Sequence, residues 1–419
     1  MDISSQSKRT VYSCYLTYFM SGVVILCFGA IMPELITQKG INYTLAGGLL
    51  TCLTIGNFIS TMLYPALCAR IEEKYVTVAL CCLYPVCLFL FTIVGSLAVL
   101  YVLIFLIGLN RGIITLTNNR TVNAATGNSP KHLNLLHMCY AVGALLSPFL
   151  IALLTKAGIS WETILRGIAL ITIAIPVLYA FVDKDMVAGK SAEVKGSTAA
   201  DADAVNKAGS DNADGNDAGG NNAGSAKVFL KVAGYWLVLG MIFCYMGLEN
   251  TVNGWFETYL KQRGIMSDTM ATMMVSVTWA MIMIGRIAVA SLAGKIKTSH
   301  ILSAITVIQL IAVILLLNAD TGVMVVISLV IFGFGLAGIY PTLMAYTGDI
   351  VNNSNLGMSI LTGCGAIGGM LLPQLIGIVA DASGFDTAIV LMLVNSIILV
   401  VLGVLTIFES KKRLKKEGI

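Results

Sequence analysis

Charge is what this 419-residue chain has least of: only 11% of its residues are charged, against roughly 25% in soluble domains. Hydrophobic residues make up 57%, and the mean hydropathy is +0.86. A globular chain of that make-up has little surface to offer water, which excludes an ordinary soluble enzyme. Histidine is scarce too, at three residues. No Cys/His spacing of a metal site occurs, so no metal and no cofactor is expected. A phosphate-cradling G-x-x-x-x-G-K-S/T loop is absent, which argues against ATP-driven work by this chain alone. The ten cysteines lie at 14, 27, 52, 68, 81, 82, 87, 139, 244 and 364, all in apolar stretches and with no C-x-x-C pair. They read as small apolar packing residues.

Long apolar runs are present in quantity. Twelve can be drawn, at roughly 11–33, 43–68, 76–95, 98–119, 132–155, 161–182, 230–257, 269–293, 299–317, 322–346, 356–380 and 386–408. A membrane-spanning helix needs about 20 such residues. Helices are required, because the ten-residue alternation of a barrel strand is missing. The expected fold is an all-α membrane protein with twelve transmembrane helices in two pseudo-symmetric six-helix bundles. Residues 1–182 would form the first bundle and 229–419 the second, with a basic tail. Residues 183–228 would be a disordered linker, since 24 of the 30 residues from Ser197 to Ala226 are Ala, Gly, Asn or Asp, too little to bury a core. The first ten residues are polar and no small-residue cleavage site follows, so the first run reads as a retained helix.

Basic residues set the expected orientation. With the N-terminus inside, nineteen Lys and Arg fall on that side and four on the other, and three lie within runs: Arg111, Arg166 and Arg286. This asymmetry predicts a multi-pass protein of the cytoplasmic (inner) membrane with both termini in the cytoplasm. The tail would sit beside anionic membrane lipids. The net charge of +4 is accounted for in this way and calls for no nucleic acid.

The two halves echo one another. Gly143-Ala-Leu-Leu-Ser-Pro148 in the fifth run has a counterpart, 225 residues on, in Gly368-Gly-Met-Leu-Leu-Pro373 in the eleventh. Internal repetition between six-helix halves marks a transporter built from parallel repeats, with its solute site near the bilayer midplane between them. Two stretches match G-x-G-x-x-G, at Gly333–Gly338 and Gly363–Gly368. A dinucleotide fingerprint would follow a strand in water. Inside apolar runs, close helix packing is the better reading.

Polar residues inside spans are expensive, and each is a functional candidate. The seventh run is the richest. Tyr245, Glu249, Asn253 and Glu257 are four apart and share one helix face, with Asn250 beside them. That face is too polar for lipid and should line a cavity; Glu257, nearer the outer water, is expected to be solvated. Gly254 could let the helix bend. In the fourth run Arg111, Thr115 and Asn119 repeat the spacing. Arg111 cannot realistically be neutral, so it faces either a cavity or a carboxylate such as Glu249, or it is a static anchor. In the fifth run Asn134 and His137 share a face; His137 could bond solute hydroxyls, or be a satisfied core residue. Trp279, Gln309, Tyr340 and Gln374 are weaker candidates. Aromatic faces with amide side chains suit a sugar ring, through stacking and hydroxyl bonds.

Twelve spans, a 6+6 division and short basic loops resemble the major facilitator superfamily. Gly285-Arg286 with Leu292-Ala-Gly294-Lys295 resembles the second copy of its G-x-x-x-D-R-x-G-R/K motif, and Ala69-Arg70-Ile-Glu-Glu-Lys74 is a degenerate first copy. Three segments resemble the fucose-permease-like group. They are Tyr245-Met-Gly-Leu-Glu249 with Trp255-Phe-Glu-Thr-Tyr259-Leu, Asn134-Leu-Leu-His137 with Gly143 and Pro148, and Gly112-Ile-Ile-Thr115 ending in Asn119. That group's fourth span carries an acid where this chain has Thr115, and no acid precedes Pro33 in the first span. The resemblance implies alternating access and solute contact by Arg111, Asn119, His137, Tyr245, Glu249, Asn250, Asn253 and Trp279. Glu249 is then the candidate proton carrier, since desolvation favours its neutral form. The expected partners are a small solute (a sugar first), a proton and membrane lipids, and the expected state is a monomer. The alternative is an efflux antiporter for drugs or other amphipathic compounds.

Overall fold

The computed structural model describes residues 5–127, 129–182, 230, 232–292, 295–351 and 355–417. Among them the regular structure is helical: α1 (Ser5–Lys39), α2 (Tyr43–Cys68), α3 (Glu73–Ile93), α4 (Leu97–Thr126), α5 (Pro130–Lys156), α6 (Trp161–Thr172), α7 (Ala174–Phe181), α8 (Ala233–Arg263), α9 (Asp268–Leu292), α10 (Thr298–Leu317), α11 (Gly322–Ala337), α12 (Ile339–Val351), α13 (Asn355–Ser383) and α14 (Phe385–Glu417). The expected linker at 183–228 lies outside the described residues.

Fourteen helices stand where twelve runs were read, because two runs are split. Both splits follow from proline. Pro176 has no N–H to give the Thr172 carbonyl, so α6 ends at Thr172. Pro341 likewise cannot donate to Ala337, where α11 ends. Other ends are set by caps. The Asn42 side chain accepts from the Leu45 amide at 2.9 Å to start α2. Gly127 (φ 61°) and Gly264 (φ 63°) stop α4 and α8 in the left-handed region that glycine tolerates.

Among the described residues, eleven helical segments are long and apolar enough to cross a membrane. The segment Ala233–Arg263 is longer than most of them but falls short of that standard, because its second half carries Glu249, Asn250, Asn253 and Glu257. Large apolar side chains point outward all round the molecule; Leu170 and Val323 are each 69% exposed, as expected where the solvent is lipid. Inside, α1 packs on α5, α2 on α4, and α3 on α4 and α6. In the second half α8 packs on α13 and α14, and α9 and α10 on α11. Three further pairings join the halves: α2 with α13, α5 with α9, and α1 with α8.

Polar residues within the first half are used for packing. Asn118 bonds Thr17 of α1 and accepts from Tyr179 of α7 at 2.8 Å. Arg166 donates to Thr92 at 3.0 Å. Arg120 pairs with Glu73 at 2.6 Å. Gln309, a weak candidate above, is fully buried and donates to Ser396. Both G-x-G-x-x-G stretches lie at helix crossings too tight for a side chain: a Cβ on Gly335 would stand 2.7 Å from the Gln309 amide nitrogen, and one on Gly368 2.1 Å from the Phe243 carbonyl oxygen.

Candidate functional site

Helix geometry fixes the depth of the polar residues. At 1.5 Å per residue, Arg111 in α4 and Glu249 in α8 each lie about 21 Å from the helix end remote from the chain termini. The two lie within electrostatic reach across the halves: Glu249 acts on Arg111, and both act on Tyr140 of α5. They form no ion pair within 4 Å. Arg111 instead donates to the Tyr140 hydroxyl at 3.2 Å, with its guanidinium 6.0 Å from that ring's centroid. Glu249 accepts a hydrogen bond from Tyr245, one turn earlier on its own helix.

Aromatic rings enclose this charge group. Tyr18 of α1 meets His137 edge-on at 5.5 Å and Tyr140 at 5.1 Å. Tyr140 meets Trp279 of α9 at 6.3 Å, and Tyr245 lies 6.0 Å from Tyr340 of α12. The Trp279 indole N–H donates to Asn253 Oδ1 at 3.0 Å. Arg286 of α9 completes the group: its charge is felt by His137, Tyr140, Tyr245 and Tyr340.

The end remote from the termini is shut above this group. Asp381 at the end of α13 accepts from the Tyr43 and Thr44 amides at 2.9 and 2.7 Å, capping α2 from the opposite half. Lys261 of α8 bonds Glu34 of α1 and Glu257 of its own helix, each at 2.8 Å. Gln262 bonds Tyr43, and Thr51 donates to the Met370 carbonyl at 3.0 Å. The backbones touch: a Cβ on Gly29 would lie 1.7 Å from the Asn253 carbonyl oxygen. Below the group, Tyr340 is 41% exposed and His137 is exposed too.

Among the residues singled out from the sequence, Arg111, His137, Tyr245, Glu249, Asn253 and Trp279 come together here. Asn250 turns toward α13, where its amide crowds Gly369, and with Arg111 and Asn253 it lines a 20 Å³ cavity, about enough for one water. Asn119 stands two turns beyond Arg111, about 12 Å nearer the termini; its Oδ1 is buried without a hydrogen-bond partner among the described residues. Glu257 is corrected. Its side chain is 1% exposed, not solvated, and Thr272 donates to it at 2.7 Å. At Gly254 α8 is continuous, and a Cβ there would meet Leu50 of α2. Gln374 joins the shut end, donating to the Thr44 carbonyl at 3.2 Å. Tyr18 and Tyr140 were not singled out from the sequence. Arg286 had been noted as a charge within a span but was read as part of a loop motif.

The family model described as Major Facilitator Superfamily matches residues 14–365 and 301–418. A relative described as an uncharacterized MFS-type transporter of Yersinia pestis is 20% identical over 379 residues, covering 90% of each chain. Two solved structures share the fold. One is a bacterial homolog of the human lysosomal transporter Spinster in an inward-facing, unoccupied conformation, with TM-score 0.74, 11% identity and 99% of each chain covered. The other is the nucleoside transporter NupG, with TM-score 0.70, 12% identity, 97% of this chain and 100% of the other covered.

Proposed function

Because the chain belongs to the major facilitator superfamily, it is a membrane transporter and not an enzyme, and we propose that it moves a small polar solute by alternating access. The observation that carries this reading is the joining of charged, amide and aromatic side chains from both halves beneath a shut end. A solute held there touches both halves at once, so its binding reports on how they are disposed. The proposed halves are residues 1–182 and 229–419, with 183–228 as a cytoplasmic linker and both termini in the cytoplasm of the inner membrane. The state described is then the inward-facing one.

Aromatic edges and faces from Tyr18, Tyr140, Tyr340 and Trp279, with Asn253 and His137 as bonding groups, favour a sugar-like ring with hydroxyls. Glu249 is the proposed proton carrier. As a carboxylate it balances Arg111; once protonated it leaves that guanidinium free for the solute. Proton and solute thus arrive together. The test is flux into proteoliposomes of the full chain with a pH gradient and a labelled panel of sugars, sugar acids and amphipathic drugs. The expected result is concentrative uptake of a sugar-like solute, with Glu249→Gln still exchanging solute but no longer concentrating it. Fully concentrative uptake in Glu249→Gln removes the proton role, and drug extrusion without sugar-like counterflow replaces the solute class.

A further inference from the structure

We propose that the solute carried at the central site is an anion, bearing a carboxylate or phosphate group that Arg286 and Arg111 hold between them. The inference rests on the transporter reading and names its substrate class. It begins with a charge count. Two guanidiniums, Arg111 from α4 and Arg286 from α9, both act on the Tyr140 ring, Arg111 about 21 Å and Arg286 about 27 Å from the remote ends of their helices. One carboxylate, Glu249, is the acid acting on Arg111, Tyr140, Tyr245 and Tyr340 among the described residues. One positive charge is left over.

The donors give a second, independent observation. A guanidinium carries five N–H groups in a rigid fork. Arg111 uses one on the Tyr140 hydroxyl. Arg286 makes no hydrogen bond or ion pair among the described residues, and its Nε is buried without a partner. A buried guanidinium N–H left without a partner is costly, and a ligand oxygen at Arg286 Nε would relieve that cost. The two arginines act on Tyr140 from opposite halves, so an anion between them would join the halves through charge as well as contact. The fork matches the two oxygens of a carboxylate or phosphate, which an uncharged hydroxyl cannot reproduce.

Glu249 fits this scheme. It competes with the solute for Arg111, so in the proton-carrier role proposed for Glu249 the proton and the anion arrive together. Carrying one proton with each singly charged anion leaves the charge of the loaded site as it was in the empty one. A ring bearing an acid group uses the aromatic wall and the forks together, and sugar acids are the simplest solutes of that kind.

The test is thermal unfolding of the purified full chain in detergent with pairs of matched ring and different charge: glucuronate against glucose, and glucose 6-phosphate against glucose. Stabilisation by at least one of the two anions, with none by glucose at the same concentration, is expected. In Arg286→Gln the anion's apparent affinity should fall at least tenfold, and in Arg286→Lys it should fall less, since charge stays and the fork goes. The unliganded melting temperature of each variant checks that it folds. Glucose stabilising as well as the anions, neither anion stabilising, or full anion affinity in Arg286→Gln each overturns the inference. Flux separates this from the parent reading. Anion binding with no passage of that anion into proteoliposomes defeats transport at this site but leaves the charge assignment, whereas passage of glucose and exclusion of the anions does the reverse.

Discussion

Lys261 is the residue whose loss should open the shut end. Its ammonium lies 2.8 Å from both Glu257 and Glu34, and the Glu257 side chain is 1% exposed. At an effective dielectric constant near 20, each contact is worth about 6 kcal/mol before desolvation. Lys261→Met leaves two carboxylates around an apolar side chain, and removing one partner of a buried pair costs about 3–5 kcal/mol. That cost applies only while the end is shut, because opening returns both carboxylates to water. At about 1.4 kcal/mol per tenfold, even the lower figure shifts the balance toward opening by about a hundredfold. Hydrogen–deuterium exchange on the full chain in nanodiscs reads this out. The amides of Tyr43 and Thr44 are held by Asp381 from the other half, so their protection depends on closure. Lys261→Met should exchange faster over residues 40–46 and 258–266. Adding Glu257→Gln removes the buried charge and should restore most of the protection. Wild-type exchange in Lys261→Met, or no recovery in the double variant, would refute the reasoning.

Other perturbations have distinct readouts. Gly29→Ala places a methyl where the Asn253 carbonyl oxygen now lies, so the end should fail to shut, raising exchange over residues 40–46 and cutting counterflow more than tenfold. Trp279→Phe keeps the apolar wall but loses the 3.0 Å bond to Asn253; a loss of about 1 kcal/mol should raise KM about fivefold while the melting temperature holds. Tyr64→Phe deletes a buried hydroxyl bonded to Thr77 and Thr117 at 2.7 and 2.8 Å, none of the three being a residue of the central site. It should cost about 1–3 kcal/mol, lowering the melting temperature without changing KM.

Much of the fold was legible because hydropathy is a one-dimensional signal. Each apolar run became one helix or a pair, and the two splits fall where Pro176 and Pro341 stand. They passed unseen because a proline interrupts hydrogen bonding without interrupting hydropathy. The core of the site was legible from spacing: Tyr245, Glu249 and Asn253 do share a face, and the cost of charge in lipid singled out Arg111. Partners across helices were not. Nothing in the chain's order says that Tyr18 meets His137, or that Arg286 turns inward instead of serving a loop motif. Glu257 was read by its depth alone, but its environment is set by Lys261 and Thr272, and by Glu34 more than two hundred residues away. Contacts of that kind depend on which helices pack together, and apolar periodicity is nearly silent on packing.

The polarity of Ala233–Arg263 has a consequence for how the molecule is made. A charged residue near the centre of a lone inserting helix costs about 2.5–3.5 kcal/mol, and this segment carries Glu249 among several polar neighbours. Its packing partners α13 and α14 are synthesised more than a hundred residues later. The segment must therefore be held at the insertion machinery, or against helices already made, until those partners arrive. The side chains that equip the centre of the protein thereby make this helix costly to settle in the bilayer before its partners arrive.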